Sequence, residues 1–513
     1  MLYPGPTARC PREISLQPSP EQDAIVAARL ADPAGSLRVL AFAGTGKTTA
    51  LQLLAEADPT PGLYVAYNKG AQLAARARFP AHVACRTVHS LAFRAMRMFE
   101  QQHRLERRLA GRDVAELLAI PALDGLRRSF WGYCVIATVR SFTHDGSAHG
   151  IGPEHLPPLP RGTDRAGPVL AWARQVWALM GDPAGAVPLE HDAYLKMWHL
   201  EGARLPDQAA VLYVDEAQDA DPVTLAILQA QDRPTVWVGD PWQSIYRFRG
   251  SVNAMRAIDA PQHPLTRSWR FGEELARVAR GILAHTSEPP VLELRGDPGI
   301  ATVLGPVRPP CAVLCRTNAG LFEAAVRGRD RVHIVGGVEP LARLVLGGWR
   351  LRLGEPVPEV PSLARFRGWH ELVEAAAEER DPELRFLVQV VGHYGRALPA
   401  LVAELRRRAV AHPGMAERVL STAHKAKGLE WSRVRLGPDF PGLDELHAAD
   451  RDGVPHLTPA ERDQELHLLY VAATRAMRQL EPNDAVRGCL ATQVGRVAPH
   501  RGDRAMLPES FSS

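Results

Sequence analysis

The sequence predicts an α/β protein with two parallel sheets, each interrupted by a mostly helical insertion. Short apolar runs alternate with segments of helical periodicity over residues 37–93 and 206–268, and the same pattern returns from residue 269. Such alternation is typical of parallel strands joined by helices. An Arg-rich helical stretch that loosens into a Pro- and Gly-rich loop interrupts the first pattern, and segment 331–413 interrupts the second.

The strand candidates follow in order along the chain. An apolar run at 37–42 is followed by a Gly-containing loop and then by helical spacing of Leu51 and Leu54, which predicts strand, loop and helix. The further strand-like runs lie at 62–68, 210–219 and 234–240. The second α/β pattern includes 311–318 and resumes at 418–431 and 465–476. The Pro-containing last thirty residues show little periodicity and predict a frayed tail.

Composition excludes several classes of protein. With 513 residues, 46% hydrophobic and 23% charged, the chain is neither fibrous nor mostly disordered. We find no apolar run near the ~20 residues that span a bilayer, and no signal-peptide core at the N-terminus. Six cysteines are too few for a disulfide scaffold, and Cys311 and Cys315, inside an apolar run, are better read as core thiols than as a metal pair. We therefore predict a cytoplasmic, bacterial protein associated with the nucleoid and with no membrane partner.

The basic residues suggest where function lies. The net charge of +4 is a weak hint of a polyanionic partner. Five of the 61 basic residues are lysines, at positions 47, 69, 196, 425 and 427, and the rest are arginines. Where arginine is so strongly preferred, a retained lysine can mark a place that needs a compact ammonium group.

Residues 41–48, AFAGTGKT, form a candidate phosphate-binding loop, with Ala where the first Gly is usual. Gly44 and Gly46 allow backbone N–H groups to approach phosphates, and the helix that follows adds its dipole. Lys47 would reach the β- and γ-phosphates, and Thr48 would bind Mg²⁺. The alternative is a Gly-rich turn that matches by chance. We expect ATP and Mg²⁺ as cofactors.

Residues 211–219, VLYVDEAQD, are an apolar run that ends in acids. A strand end here would direct Asp215 at the Mg²⁺, and Glu216 would act as general base for the attacking water. Together with the phosphate loop, the motif predicts a single metal–nucleotide site.

Several motifs in order resemble the superfamily 1 DNA helicases of the UvrD/Rep/PcrA type. They are DEAQD, GDPWQSIYRFRG at 239–250, STAHKAKGLEW at 421–431 and LLYVAATRA at 468–476. HDAYLKMWHL at 191–200 and LTRSWRF at 265–271 are most similar to the F-box DNA helicase group. The match covers roughly residues 16–480, and we expect no F-box segment before it. The resemblance implies two RecA-like domains of the P-loop NTPase class.

The resemblance assigns roles in the ATP site. Gln22 would read the adenine, Gln243 would sense the γ-phosphate, and Glu430 would contact the ribose. Arg270 and Arg475 would be arginine fingers that, with Lys47 and Glu216, complete the catalytic set. The remaining nucleotide contacts would come from Ala43, Gly44, Thr45, Gly46, Thr49 and Trp269. Thr49 and Trp269 stand where relatives often carry Arg and Tyr, so base stacking would rest on Trp269 alone.

The resemblance also implies a nucleic-acid groove. Asn68, Lys69, Thr87 and His89 would contact backbone phosphates of a single strand. Tyr246, Phe248 and Arg249 mix aromatic rings with a cation, which suits base stacking and phosphate contact. His424, Lys425 and Lys427 would line the groove from the second domain. The alternative for each is a capping, core or solvated residue, and for Lys196 a DNA contact and a solvated face are equally plausible.

The expected organisation and function follow. Residues 1–15 would be an extension, 16–93 and 206–268 the first RecA-like domain, 94–205 its insertion, 269–330 and 414–485 the second domain, 331–413 a reduced insertion, and 486–513 a tail. We expect an ATP-dependent translocase and helicase on single-stranded DNA and single–double-strand junctions, acting 3′→5′ in repair, recombination or replication. The alternative is an ATP-gated remodelling factor that clears proteins from single strands without processive unwinding.

Overall fold

The computed structural model describes residues 18–496 except for 108, 160–163, 246–252, 358–359, 361, 364–365, 379–381 and 450–455. Two six-stranded sheets dominate this part of the chain, and every strand pair in them is parallel. Helices pack on both, which confirms the predicted α/β fold class. None of the described helices is long and apolar enough to cross a membrane.

The first sheet has the strand order β3-β2-β4-β5-β1-β6. Its strands are β1 (Leu37–Ala41), β2 (Gly62–Val65), β3 (Val83–Arg86), β4 (Val211–Val214), β5 (Thr235–Gly239) and β6 (Gln262–Leu265). The helices around it are α1 (Pro20–Ala31), α2 (Lys47–Ala57), α3 (Lys69–Arg76), α4 (Val88–Ala95), α9 (Pro222–Gln229) and α10 (Ala254–Ala257). Because the strands are parallel, the loops after β1, β2, β3, β4 and β5 all open at one edge of the sheet.

The first insertion packs on one face of this sheet. Its helices are α5 (Gly111–Leu117), α6 (Arg128–Thr143), α7 (Ala166–Gly181) and α8 (His191–Leu200). Their apolar side chains, Trp131 and Phe142 among them, share a continuous core with Leu63 and Leu212 of the sheet. This shared core fixes α8 close to the strand ends that carry the candidate site.

The second sheet has the order β7-β12-β11-β8-β10-β9. Its strands are β7 (Val303–Leu304), β8 (Cys311–Cys315), β9 (Val332–Ile334), β10 (Arg418–Thr422), β11 (Trp431–Leu436) and β12 (Ala476–Glu481). The helices around it are α11 (Glu273–Leu283), α12 (Asn318–Arg327), α17 (Ala423–Ala426), α18 (Leu443–Leu446), α19 (Pro459–Ala473) and α20 (Asp484–Arg496). Cys311 and Cys315 are buried free thiols on β8.

The second insertion contains α13 (Val338–Arg352), α14 (Trp369–Glu378), α15 (Pro382–Tyr394) and α16 (Leu398–Arg408). Two elements lie outside the predicted bounds. Strand β9 belongs to the second sheet although it falls in the segment predicted as insertion, because three residues are too few to show a strand pattern. Helix α20 occupies much of the predicted tail: Asn483 accepts a hydrogen bond from the N–H of Val486, and Val486 and Cys489 are buried.

Candidate nucleotide site and nucleic-acid interface

The phosphate loop connects β1 to α2 and has the conformation that its glycines permit. Gly44 and Gly46 have φ values of +75° and +84°, a region that other residues enter only with strain. Helix α2 begins at Lys47 with no side-chain cap on its first turn. The N–H groups of that turn therefore face the loop and suit an anion such as phosphate.

Gly44 is also required because the segment that contains Ser268 and Arg270 packs closely against the phosphate loop. A Cβ there would lie 2.6 Å from both Arg270 Cβ and Ser268 Oγ. The backbone N–H of Trp269 donates to the carbonyl of Gly44 at 2.8 Å. The segment with the first predicted arginine finger therefore rests directly on the phosphate loop.

Three oxygen-bearing groups meet where Mg²⁺ was predicted. The hydroxyls of Thr48 and Tyr64 each donate to Oδ2 of Asp215 at 2.7 Å. Burial and the nearby Glu216 carboxylate raise the pKa of Asp215. Hydroxyl and carboxylate oxygens are the donors that Mg²⁺ prefers, so Thr48 and Asp215 fit the ion. Tyr64, on the neighbouring strand β2, was not found from the sequence, since a tyrosine in a buried strand usually belongs to the core.

Glu216 lies beside the phosphate-loop lysine. Its Oε1 is 3.4 Å from Lys47 Nζ, and its backbone is left-handed, with φ +51°. Burial alone would raise the pKa of Glu216, but the charges of Lys47 and Lys427 and a hydrogen bond from Gln218 lower it to about 2. The carboxylate is therefore ionised at neutral pH, as a general base must be.

Asp240, at the end of β5, joins the two halves of the cleft. It accepts hydrogen bonds from Gln243 Nε2 and, at 3.0 Å, from the hydroxyl of Tyr470 on α19. The same hydroxyl accepts from the N–H of Ala43 in the phosphate loop at 2.9 Å. Tyr470 thus touches the loop and the Gln243 network together, and the sequence motifs did not single it out as a site residue.

The two predicted arginine fingers both reach this cleft. Arg475 is 1% exposed, and its guanidinium donates to Gln243 Oε1 at 3.3 Å. Burial and the charge of Arg270 lower the pKa of Arg475 to about 9. Arg270 pairs with Glu430 at 3.0 Å and donates to the Thr474 carbonyl. Two neighbouring cations in a buried cleft favour an anionic ligand between them.

The residues expected around the base and ribose lie at the cleft mouth. Gln22 is 4% exposed, and its Oε1 accepts from the N–H of Ser19, which leaves Nε2 directed toward Gly46. Trp269 is 41% exposed, with the Arg267 guanidinium 4.4 Å from its ring centroid. Glu430, the residue expected to contact the ribose, pairs with Arg270 in this structure. Arg267, which the sequence did not single out, therefore covers the ring that would stack on the base.

Four of the predicted DNA contacts follow β2 and β3 at the same edge of the sheet as the phosphate loop. Asn68 caps α3 by accepting from the N–H of Ala71, and Lys69 is exposed in its first turn. Thr87 caps α4 in the same way through Ser90. Asn68 and Thr87 therefore have the helix-capping role that the sequence left open as the alternative to a DNA contact. His89, in the first turn of α4, bonds to Asp192 at 3.2 Å.

The remaining predicted contacts divide into two groups. Tyr246, Phe248 and Arg249 lie outside the described residues. His424 and Lys425 lie on the short helix α17 of the second domain, where Lys425 is exposed and its Nζ lies beside Gly336. Their contact with DNA stays a prediction.

Two lysines have different surroundings from those expected. Lys427 does not face the groove: its Nζ donates to the Asp219 carboxylate and, at 2.6 Å, to the Gln243 carbonyl. Lys196 is neither a solvated residue nor a DNA contact. It is buried, with Nζ 2.5 Å from the carbonyls of Asp145 and Ala148. The partners of both lysines lie far away in the sequence, so no local sequence pattern could have indicated these contacts.

Comparison with known proteins gives a family assignment that agrees with these motifs. Residues 199–258, which include the acidic motif and Gln243, match the model of the UvrD/REP helicase N-terminal domain. Over these residues the chain is similar to the UvrD/REP helicases. This confirms the resemblance that the motifs indicated.

Two curated proteins and one solved structure are similar to this chain. F-box DNA helicase 1 of Gallus gallus is 30% identical over 492 residues, covering 89% of this chain and 48% of that protein. ATP-dependent DNA helicase UvrD2 of Mycobacterium tuberculosis is 30% identical over 359 residues, covering 57% and 49%. The arterivirus nonstructural protein 10 helicase aligns over 91% of this chain and 63% of its own, with 12% identity and a TM-score of 0.31.

The chain spans about half the length of the curated relatives it matches. One of those relatives comes from a vertebrate and the other from a bacterium. Because similar proteins occur in both groups, the comparison does not support the predicted bacterial origin.

Proposed function

We propose that this chain is an ATP-driven motor that moves along single-stranded DNA and unwinds duplex DNA. The observation that carries the proposal is one cleft with Lys47 and Glu216 on one wall and Arg270 and Arg475 on the other. Phosphoryl transfer needs both a base for water and cations for the charge that develops on the phosphate. The cleft supplies both, but from two different sheets.

Each residue then has a defined part in ATP hydrolysis. The phosphate-loop N–H groups and Lys47 would bind the β- and γ-phosphates, and Thr48 and Asp215 would hold Mg²⁺, which neutralises phosphate charge when bound. Glu216 would take a proton from the attacking water. Arg270 and Arg475 would stabilise the transition state, and Gln243, bonded to Arg475, would report the γ-phosphate to the rest of the molecule.

The same geometry favours the coupling of ATP hydrolysis to movement along a nucleic-acid strand. The candidate strand contacts Asn68, Lys69, Thr87 and His89 follow strands of the first sheet, whereas His424 and Lys425 belong to the second. Opening and closing of the cleft would change the spacing between the two sets, so that they grip the strand alternately. The relatives named above are DNA helicases, which supports DNA as the track, and the resemblance supports 3′→5′ movement.

The decisive experiment is ATP hydrolysis with and without a single-stranded oligodeoxynucleotide. We expect strong stimulation in the wild-type protein and none in Lys47→Ala. Arg407→Ala, an exposed change on α16 remote from the cleft, is the control and should behave as wild type. Hydrolysis that DNA leaves unchanged, and that RNA stimulates instead, would contradict the choice of DNA.

A second candidate function is an ATP-gated remodelling factor that clears proteins from single strands, because the second insertion is short. Strand displacement on duplexes with a 3′ or a 5′ single-stranded tail separates the two. Unwinding of the 3′-tailed duplex supports the helicase. DNA-stimulated hydrolysis with no displacement of either duplex would favour the remodelling factor.

A further inference from the structure

Helix α8, which comprises the whole HDAYLKMWHL motif, has polar side chains on one face that the proposed ATP cycle does not use. Asp192, Lys196 and His199 are spaced four and three residues apart, which places them on one side of the helix. All three bind the loop that follows α6. His144 lies 3.7 Å from Asp192 Oδ2, the carbonyls of Asp145 and Ala148 accept from Lys196, and the Gly146 carbonyl lies 3.0 Å from His199 Nε2.

The loop in turn packs against the region of the acidic motif. A Cβ on Gly146 would lie 2.3 Å from the carbonyl oxygen of Pro222, the first residue of α9. Lys196 and His199 therefore hold the loop against the start of α9. Asp192 differs from them, because its second carboxylate oxygen binds outside the insertion.

Oδ1 of Asp192 lies 3.2 Å from Nε2 of His89, on α4 of the first sheet's domain. The bond crosses between the insertion and the segment that carries the predicted strand contacts. The His89 and Asp192 side chains are each 39% exposed, so the pair lies at the surface and is reachable by a ligand. No described residue forms a hydrogen bond with Nδ1 of His89.

The chemistry of the pair sets the orientation of the imidazole. Burial alone would raise the pKa of Asp192, but a hydrogen bond from His89 and the nearby His144, His89 and His191 lower it. An ionised carboxylate accepts hydrogen bonds only, so Nε2 of His89 must carry the proton that it donates. The bond thus fixes both the tautomer and the plane of the ring.

We propose that Asp192 is a positioning residue for His89: with Nε2–H held by the carboxylate, the imidazole presents Nδ1 as a hydrogen-bond acceptor to the N–H groups of unpaired bases in a single-stranded nucleic acid. The inference rests on the proposed function. In this proposal α8 contributes to nucleic-acid binding indirectly, through His89. The first insertion is thereby linked to the predicted nucleic-acid contacts of the first sheet's domain.

The sign of the effect separates this role from simple electrostatics. Removing a negative charge from a surface that binds a polyanion ordinarily strengthens binding. A positioning role predicts the opposite, because His89 loses its orientation when the carboxylate is replaced. Glu190, the residue that precedes α8 and is paired with Arg140, is a matched control that carries the same charge without touching His89.

The test measures the affinity of a fluorescent oligothymidylate for Asp192→Asn, His89→Ala, the double variant and Glu190→Gln. We expect Asp192→Asn and His89→Ala each to weaken binding about five- to tenfold, as for the loss of one neutral hydrogen bond. The double variant should bind no more weakly than His89→Ala, and Glu190→Gln should bind as wild type or more tightly. The maximal ATPase rate at saturating oligonucleotide should be unchanged in Asp192→Asn.

The outcomes are distinguishable. Wild-type binding by Asp192→Asn, or equal weakening when His89 is already alanine, would overturn the positioning role and leave the proposed function intact. A wild-type protein that does not bind the oligonucleotide would overturn both. Imidazole ¹⁵N spectra of the DNA-free protein give a readout independent of binding. The Nε2-protonated signature of His89 should dominate in wild type and lose part of its share to the Nδ1-protonated form in Asp192→Asn, whose amide can donate to Nε2 as well as accept from it. An unchanged spectrum would contradict the role.

Discussion

Lys427, from the second sheet's domain, donates a hydrogen bond to the buried carboxylate of Asp219, the last residue of the acidic motif in the first. The same ammonium group donates to the Gln243 carbonyl at 2.6 Å. Lys427 directly follows α17, the helix that carries the candidate strand contacts His424 and Lys425. One residue therefore connects a predicted DNA surface to the candidate nucleotide site across the cleft.

Lys427→Met should weaken closure of this cleft. The Asp219 side chain is 1% exposed, and removing one partner of a buried ion pair costs about 3–5 kcal/mol. We expect at least a tenfold loss of ATP turnover at saturating DNA and a larger radius of gyration with nucleotide bound, measured by small-angle X-ray scattering. Lys425→Met is the matched control, since it should alter DNA affinity but not the maximal rate. Wild-type turnover in Lys427→Met would show that the pair is not needed for closure.

Asp219 should make the stability of the protein pH-dependent. Burial raises the pKa of Asp219 to about 6, although Lys427 opposes the shift. A carboxyl with a raised pKa contributes stability at low pH that is lost as pH rises through the folded value. Between pH 5 and 7 the free energy of unfolding of wild type should therefore fall by about 1 kcal/mol relative to Asp219→Asn. Urea unfolding of both proteins measures this, and a constant difference would contradict the shift.

Glu216→Gln should separate ATP binding from hydrolysis. The amide keeps the size of the side chain but cannot accept a proton from water, so we expect turnover to fall by about 10²–10⁴-fold. Binding of a fluorescent ATP analogue should remain, because Lys47 and the phosphate loop are intact. Glu430→Gln, which also loses a carboxylate in the cleft, should retain far more turnover. Appreciable hydrolysis by Glu216→Gln would remove it as the base.

Lys196→Met should destabilise the first insertion. Two part-buried carbonyls would lose a charged donor, at an expected cost of about 2–4 kcal/mol in the free energy of unfolding. Lys69→Met, at an exposed position, should change it by less than about 0.5 kcal/mol. Denaturant unfolding followed by circular dichroism compares the two. Equal stabilities would mean that Lys196 contributes little despite its burial.

Local patterns were sufficient for the fold class and for the core of the nucleotide site. The run from Leu37 into AFAGTGKT shows strand, loop and helix in sequence, and the run from Val211 ends in two acids where a parallel strand ends. Because parallel strands end at one edge, Thr48 and Asp215 were expected together, and they are hydrogen-bonded at 2.7 Å. The roles of these residues in catalysis remain predictions.

Short or irregular elements were harder to predict. Strand β9 has three residues and no visible alternation, so segment 331–413 looked uniformly like an insertion. Helix α20 follows Pro482, which suggested a frayed end, whereas Asn483 caps the helix and buried Val486 anchors it.

By itself, the sequence determined the two parallel sheets, the phosphate loop and the acids opposite it, since each depends on residues close together in the chain. Tertiary structure alone decided which side chains meet across the cleft and the insertion. Lys427 binds Asp219, Lys196 binds the loop after α6, Tyr470 binds Ala43, and Asp192 binds His89. These partners lie from about fifty to more than four hundred residues apart. Their contact depends on how helices pack on the sheets, which local periodicity does not encode.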